Sequence, residues 1–121
     1  MSLHLNPNPE NWTGRKSELP EYWHQIVQCI PNLHYSEEDG RKVGILGYPG
    51  EEGVKRNQGR PGTKEAPDHI RKYLGGIAYH LPDSCKIYDY GDIQTQGTDL
   101  ESTQTKISET VQALLRNKHL P

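Results

Sequence analysis

The sequence has no phenylalanine, one methionine and two cysteines in 121 residues, and hydrophobic residues make up only 31% of it. Globular chains average about 45–50% on a slightly broader count. A domain this polar would struggle to cover both faces of a parallel sheet. Two interpretations fit: a partly disordered small protein, or one section of a larger domain whose core other residues complete. The apolar residues are grouped into separate elements, which favours the second.

Further absences exclude several classes of protein. No apolar run approaches membrane-spanning length, and the N-terminus lacks the basic-then-apolar pattern of a signal peptide. Cys29 and Cys85 lie far apart and form neither a Cys-x-x-Cys pair nor a disulfide framework. A net charge of −2 gives no general attraction to nucleic acid or to an anionic membrane. We therefore expect a cytoplasmic protein that binds neither.

The order of hydrophobic patterns predicts helices and strands in alternation, which is typical of an α/β fold with a mainly parallel sheet. Residues 1–16 are rich in Asn and Pro and predict an extended arm with Trp12 as its anchor, and residues 17–121 hold the first helices and strands. The predicted elements are a helix over 19–30, a strand over 43–48, a loop over 49–65, a helix over 66–75, a strand over 86–90 and a helix that ends near 117.

The last predicted helix has two sequence signals. Thr98 and Glu101 have the spacing of a capping box at its start. Its apolar residues then recur on one face and should pack in the core. They are Leu100, Ile107, Val111, Leu114 and Leu115.

The loop over 49–65 is the strongest candidate for a functional segment, because structureless connections of this length are uncommon in compact domains. Parallel strands end at the same edge of a sheet, so this loop and the segment after Tyr90 should meet there. Asn57 and Arg60 would then lie near Asp92, where an arginine fork can bind a carboxylate. The alternative is that Arg60 pairs with a neighbouring acid or braces the loop backbone.

The sequence shows no catalytic or metal-binding motif of its own. The six histidines have no His-x-His or His-Glu-x-x-His spacing. There is no Gly-x-Ser-x-Gly, and the segment Gly59–Lys64 lacks the order of a phosphate-binding loop. Trp12 and Trp23 could line a binding surface, although an aromatic residue in an arm more often pins that arm to the core.

Four short motifs resemble the ureohydrolase family, which includes arginases, agmatinases and formimidoylglutamases. They are Asn11-Trp12-Thr13-Gly14-Arg15, the run Asn57-Gln58-Gly59-Arg60-Pro61-Gly62, the helix start Ala66-Pro67-Asp68-His69-Ile70-Arg71 and Asp89-Tyr90-Gly91-Asp92. The resemblance covers nearly the whole chain and is strongest to the N-terminal part of formimidoylglutamases. One departure is Ala66, which stands where the family usually has Gly and disfavours a positive φ there.

This resemblance implies the first part of a three-layer α/β/α arginase-like fold. It also implies a parent enzyme in which two manganese ions activate a hydroxide that attacks an amidine or guanidine carbon. The family's ligands come from Gly-Gly-Gly-His, Asp-x-His-x-Asp and Asp-x-Asp segments, none of which is in this sequence. We therefore expect no metal ligand and no catalytic residue in the chain itself, which alone should be inactive. The parent should be a homo-oligomer.

The resemblance also suggests a substrate. Formimidoylglutamase hydrolyses N-formimidoyl-L-glutamate to L-glutamate and formamide in histidine breakdown, and a buried substrate carboxylate needs charged donors. Asn57 and Arg60 are the predicted substrate-binding residues. The alternatives are another ureohydrolase, acting on agmatine or a guanidino acid, and a small non-catalytic binding or interaction module.

Overall fold

Five strands form a mainly parallel sheet in residues 3–121, the part of the chain that the computed structural model describes. The strands are β1 (His4–Leu5), β2 (Gln28–Cys29), β3 (Lys42–Gly47), β4 (Lys86–Ile93) and β5 (His119–Leu120). The helices are α1 (Trp23–Ile26), α2 (Glu52–Arg56), α3 (Ala66–Gly75) and α4 (Leu100–Arg116), with 3₁₀ turns at Pro9–Asn11 and Thr63–Glu65. Strand β4 pairs with β3 on one side and with β1 and β2 on the other, and β5 lies outside β3. Only β1 runs antiparallel to its neighbour.

Both long strands and both long helices confirm the predicted alternation. Helix α3 has the predicted bounds, β3 differs by one residue at each end, and β4 continues three residues beyond the predicted Tyr90. The prediction of two strands is wrong, because β1, β2 and β5 add short pairings along β4 and β3. Two-residue strands have too little pattern to be recognised in a sequence.

The predicted helix over 19–30 is wrong for most of its length. Helix α1 has four residues, and Gln28 and Cys29 pair in parallel with Tyr88 and Asp89. The amide of Ile30 then donates to the carbonyl of Asp89 at 2.9 Å. The apolar spacing was helical, but the last residues of the segment are rich in β-branched side chains and find backbone partners along β4.

The predicted arm is fixed to the sheet. Met1 and Ser2 lie outside the described residues, and His4 follows as the first residue of β1, opposite Ile93. Trp12 is buried and its indole Nε1 donates to Asp89 at 2.8 Å, which confirms the predicted pinning role. Trp23 packs edge-on against Tyr79, with ring centroids 5.3 Å apart.

The two long helices cover opposite faces of the sheet. Tyr88 and Tyr90 on β4 pack with Leu114 of α4, whereas Asp89 between them contacts Arg71 of α3. Successive side chains of a strand point to opposite faces. The chain therefore has the three layers of an α/β/α arrangement.

Helix α4 meets the sheet through a more polar face than predicted. Thr103 and Thr110 are fully buried with Leu114, and each threonine hydroxyl donates to the carbonyl four residues earlier. Leu115, predicted to be core, is 57% exposed. The predicted cap is also shifted by one residue, since the carboxylate of Asp99 accepts from the amide of Ser102. Threonine can enter the core here because the helix itself accepts its hydroxyl hydrogen bond.

None of the helices in residues 3–121 combines the length and the apolar character needed to cross a membrane.

A buried aromatic cluster lies beneath α4 and β5. His119 Nδ1 lies 3.0 Å from the carbonyl of Asn117, so Nδ1 carries the proton and Nε2 accepts from the Tyr90 hydroxyl at 2.7 Å. The Tyr90 oxygen in turn accepts from the amide of Ser36. Burial, together with the nearby charge of Lys42, lowers the pKa of His119 below its ordinary 6.5. His119 is therefore a neutral core residue.

The two neighbouring leucines of α4 provide a matched test of the packing. Leu114→Ala removes a fully buried side chain and should lower the free energy of unfolding by about 2–5 kcal/mol. Leu115→Ala, at the exposed position, should change it by less than about 0.5 kcal/mol. Urea denaturation of both variants checks this, and equal effects would contradict the observed orientation of α4.

His119 should make stability depend on pH. Below pH 6.5 the unfolded state takes up a proton that the buried imidazole resists, so the free energy of unfolding should fall as pH decreases. Replacing His119 with Gln should flatten the pH dependence between pH 6.5 and pH 5. The exposed His69→Gln variant should keep the wild-type slope, and denaturation curves at several pH values measure both.

Candidate functional site

A bulge near the end of β4 places two carboxylates on the same face of the sheet. Ile45 pairs with Asp89 and Gly47 with Asp92, so three steps along β4 match two along β3. Without the extra residue, Asp89 and Asp92 would point to opposite faces. Gly91 makes the bulge possible, since its φ is 89° and a side chain there would collide with the carbonyl of Leu5.

Arg71 of α3 binds both carboxylates. Nη1 donates to Asp92 at 2.7 Å, and Nη2 donates to Asp89 at 3.1 Å and to the carbonyl of Gly91 at 2.9 Å. Nε lies 2.9 Å from the other oxygen of Asp89, although its N–H is not directed well enough for a hydrogen bond. Asp68, one turn earlier on α3, makes a weaker contact at 3.4 Å. Arg71 and Asp89 are both buried.

Neighbouring groups supply further donors to Asp89 and Asp68. Asp89 also accepts from the indole of Trp12 at 2.8 Å and from the amide of Gly91 at 2.9 Å. The side-chain amide of Asn11 donates to Asp68 at 3.0 Å. The network thus joins three separate parts of the chain: the arm, α3 and the end of β4.

The two carboxylates differ in how well they are compensated. Asp89 receives donors at both oxygens from Arg71, Trp12 and the backbone. For Asp92 the loss of water is the larger effect and raises its pKa, while the hydrogen bond and charge of Arg71 lower it and offset only part of the rise. Gly47 leaves the space that Asp92 needs, because a side chain at that position would overlap the carboxylate.

The ends of β3 and β4 meet at one edge of the sheet, as predicted. The hydroxyls of Tyr48 and Thr95, which follow the two strands, lie 3.1 Å apart. The prediction of a structureless loop over 49–65 is wrong, because the segment contains α2 and a 3₁₀ turn. Ala66, which stands where the family usually has Gly, adopts a φ of −58°. The backbone at this position is therefore one that alanine adopts without strain.

Asn57 and Arg60 lie on this segment, at the carboxyl edge. Asn57 ends α2 and its side chain donates to the carbonyl of Gly53 at 3.1 Å. Arg60 is exposed and forms no ion pair or side-chain hydrogen bond with any residue in 3–121. Asp92, the residue expected near them, takes Arg71 as its charge partner.

The residues described here do not fit a metal. No group of three or more His, Cys, Asp or Glu side chains in residues 3–121 is arranged to hold an ion. Asp89 and Asp92 are already bound by Arg71, whose charge opposes a cation. Burial and the charge of Asp89 raise the pKa of Cys29 to about 11, which disfavours the nucleophilic thiolate form near neutral pH.

An apolar cavity of about 330 Å³ lies next to the network. The end of β3 and the inner side of α3 form its walls, and Trp12 and Arg71 contribute to its lining. Ile70, which lines it, is 62% exposed. Little of the chain covers this side of α3.

The sequence interpretation missed Arg71. It sits in a helix with Lys72 and looks like an ordinary basic residue near a helix end. The available signal was the Asp89-Tyr90-Gly91-Asp92 motif, where a glycine between two acids indicates a bulge that could bring them together. Two buried carboxylates require a cation, and an arginine at the inner side of α3 supplies it.

These features define an α/β protein in which helix, arm and sheet are joined at the carboxyl edge of parallel strands. Comparison with known families gives the more specific assignment: residues 41–121 match the model of the arginase family. The chain belongs to the arginase family.

Several curated relatives are formimidoylglutamases. The chain is 37% identical to the protein of that name from Chromobacterium violaceum, over 91% of this chain and 35% of the relative. It is 33% identical to the one from Geobacillus sp. WCH70, over 98% of this chain and 38% of the relative. It is 38% identical to the formimidoylglutamase from Aeromonas salmonicida, over 91% of this chain and 35% of the relative. The chain therefore spans little more than a third of the length of these relatives.

The buried network predicts that replacing Arg71 strongly lowers the stability of the fold. Arg71→Met leaves Asp89 buried without its counter-charge and should lower the free energy of unfolding by about 3–5 kcal/mol. The exposed Arg41→Met should change it by less than about 0.5 kcal/mol. Urea denaturation of both variants measures the difference, and a mild effect of Arg71→Met would mean that water or another cation replaces the guanidinium.

Proposed function

We propose that this chain is the N-terminal section of a formimidoylglutamase, which hydrolyses N-formimidoyl-L-glutamate to L-glutamate and formamide in histidine breakdown. The observation that supports it is the set of relatives of that name, which are 31–38% identical over 91–98% of the chain. Each matches the chain over only part of its own length. The proposal therefore concerns a longer parent enzyme, and residues 1–121 are an incomplete section of its domain.

In this proposal the chain supplies structure and substrate contacts, and the metal is held elsewhere in the parent. Two manganese ions would supply the activated hydroxide, on ligands outside these 121 residues. The Arg71 network fixes the ends of β3 and β4, the edge at which open α/β sheets bind ligands. The parent would be a cytoplasmic homo-oligomer that acts on a small molecule and binds neither nucleic acid nor membrane.

Arg60 and Asn57 are proposed to hold one of the two substrate carboxylates. Arg60 has a charged side chain without a partner in the described part of the chain, on a segment that leaves the sheet at its carboxyl edge. A guanidinium can bind a carboxylate through two parallel hydrogen bonds. Asn57 lies three residues earlier and is the residue that directly follows the short helix α2. Its side-chain amide has a second N–H besides the one that caps α2.

Substrate profiling tests the reaction. The manganese-loaded parent enzyme is offered N-formimidoyl-L-glutamate, agmatine and a guanidino acid, and formamide and urea release are measured. Preference for N-formimidoyl-L-glutamate would support the proposal. Preference for a guanidine would assign the parent to another ureohydrolase. Absence of all three activities in a manganese-containing protein would favour a non-catalytic binding module.

Arg60→Lys tests the proposed contact. A lysine keeps the charge but loses the two-pronged geometry, so kcat/KM for N-formimidoyl-L-glutamate should fall about ten-fold or more. The manganese content should not change. Arg41→Lys, at an exposed position directly before β3, is the matched control and should leave the kinetics unaltered. Normal kinetics of Arg60→Lys would show that Arg60 does not contact the substrate. Loss of folding would show that Arg60 is required for the structure of the segment.

A further inference from the structure

Arg56 is the last residue of α2, and its guanidinium joins that helix to the start of α4. Nε donates to Glu52 at 3.0 Å, Nη1 donates to Glu101 at 2.8 Å and Nη2 donates to the carbonyl of Thr98 at 2.8 Å. Every nitrogen of the side chain therefore has a partner. Two of the three partners lie in the segment that begins α4.

The remaining attachments of the 49–65 segment lie near its two ends. At the beginning, Tyr48 contacts Thr95 across the sheet edge. At the far end, the hydroxyl of Thr63 donates to the carbonyl of Gly50 at 2.9 Å, and the amide of Gly62 donates to the side chain of Glu51. Within residues 3–121, the backbone amides in the middle of the segment donate only to α2: Gln58 to the carbonyl of Lys55 at 3.1 Å and Gly59 to that of Val54 at 2.8 Å, next to the cap at Asn57.

Arg60 lies between these attachments. In the described part of the chain neither its backbone nor its side chain forms a hydrogen bond. Its position is therefore set by α2 on one side and by Gly62 on the other. Helix α2 has only five residues, and a helix this short is unstable without tertiary contacts.

Arg56 supplies the contacts that α2 needs toward α4. Its ion pairs are largely exposed, and exposed pairs contribute little to overall stability. These contacts instead fix the position of α2 relative to the start of α4. A lysine at position 56 would keep the charge but has no planar fork with which to hold three oxygens in different directions.

We propose that Arg56 is a positioning residue that holds α2 against α4 and thereby places Arg60 at the substrate carboxylate. The inference rests on the proposed function, because it gives Arg56 its role through Arg60. Arg56 does not touch the substrate. Its loss disturbs binding of the carboxylate and leaves the reacting carbon where it was.

A double-variant experiment on the full-length enzyme tests this role. Arg56→Lys should raise KM for N-formimidoyl-L-glutamate about three- to ten-fold and change kcat by less than about two-fold. Glu101→Gln, which removes one partner, should act in the same direction and more weakly. Because Arg56 acts through Arg60, Arg56→Lys should add no further increase in KM to an Arg60→Lys enzyme. Arg41→Lys is again the control.

Amide hydrogen exchange separates positioning from general stability. In Arg56→Lys, residues 51–65 should exchange faster while β4 keeps its wild-type protection. Loss of protection in β4 would make Arg56 a residue of global stability and would overturn the proposal. The proposal would also be overturned if Arg56→Lys left KM unchanged while Arg60→Lys impaired the kinetics. That result would leave the proposed role of Arg60 standing. Unchanged kinetics in Arg60→Lys would instead refute the carboxylate contact on which the inference rests.

Discussion

The buried contact of Arg71 with Asp89 and Asp92 is the interaction on which the rest of the structure depends. A charged group in a low-dielectric interior is tolerated only when its partners are close and well directed. Here the partners come from the edge of the sheet and from α3, and Trp12 brings in the arm. If any one of these parts moves away, a charge or a donor loses its partner. The arrangement therefore specifies how arm, helix and sheet fit together.

The same contact explains why a chain poor in apolar residues can form this arrangement. Aromatic, aliphatic and threonine side chains fill the face beneath α4, with His119 kept neutral. The opposite face holds the polar network of Arg71 and leaves a cavity beside α3. A face held by buried polar groups defines one packing arrangement more strictly than a purely apolar face does. It also tolerates substitutions less well, because each polar group needs its own partner.

The edge of the sheet has a rigid part and a more adaptable part. The rigid part is the bulge of β4 and the buried ion pairs, where side chains have no alternative partners. The adaptable part is the 49–65 segment, which is held by Arg56 and Thr63 at exposed positions and by the half-buried Tyr48 at its start. Ligand-binding segments commonly combine a mobile loop with a stable scaffold. This division is the physical basis for the proposals that the segment contacts the substrate and that Arg56 positions it.

The long helices and strands and the family resemblance could be predicted from the amino-acid sequence, because periodic patterns and short motifs depend on residues that are close together in the chain. Residues 66–75 and the stripe from Leu100 to Leu115 carried enough signal to define two helices, although the face that α4 buries differs from the stripe at Leu115. The strand at 28–29, the burial of Thr103 and Thr110 and the partner of Asp92 depended on residues far along the chain. Helical spacing in 19–30 was overridden because β4 offered backbone partners. These features could not be predicted because they arise in the folded chain, where a strand or a buried polar group pairs with whichever partner folding brings within about 3 Å of it.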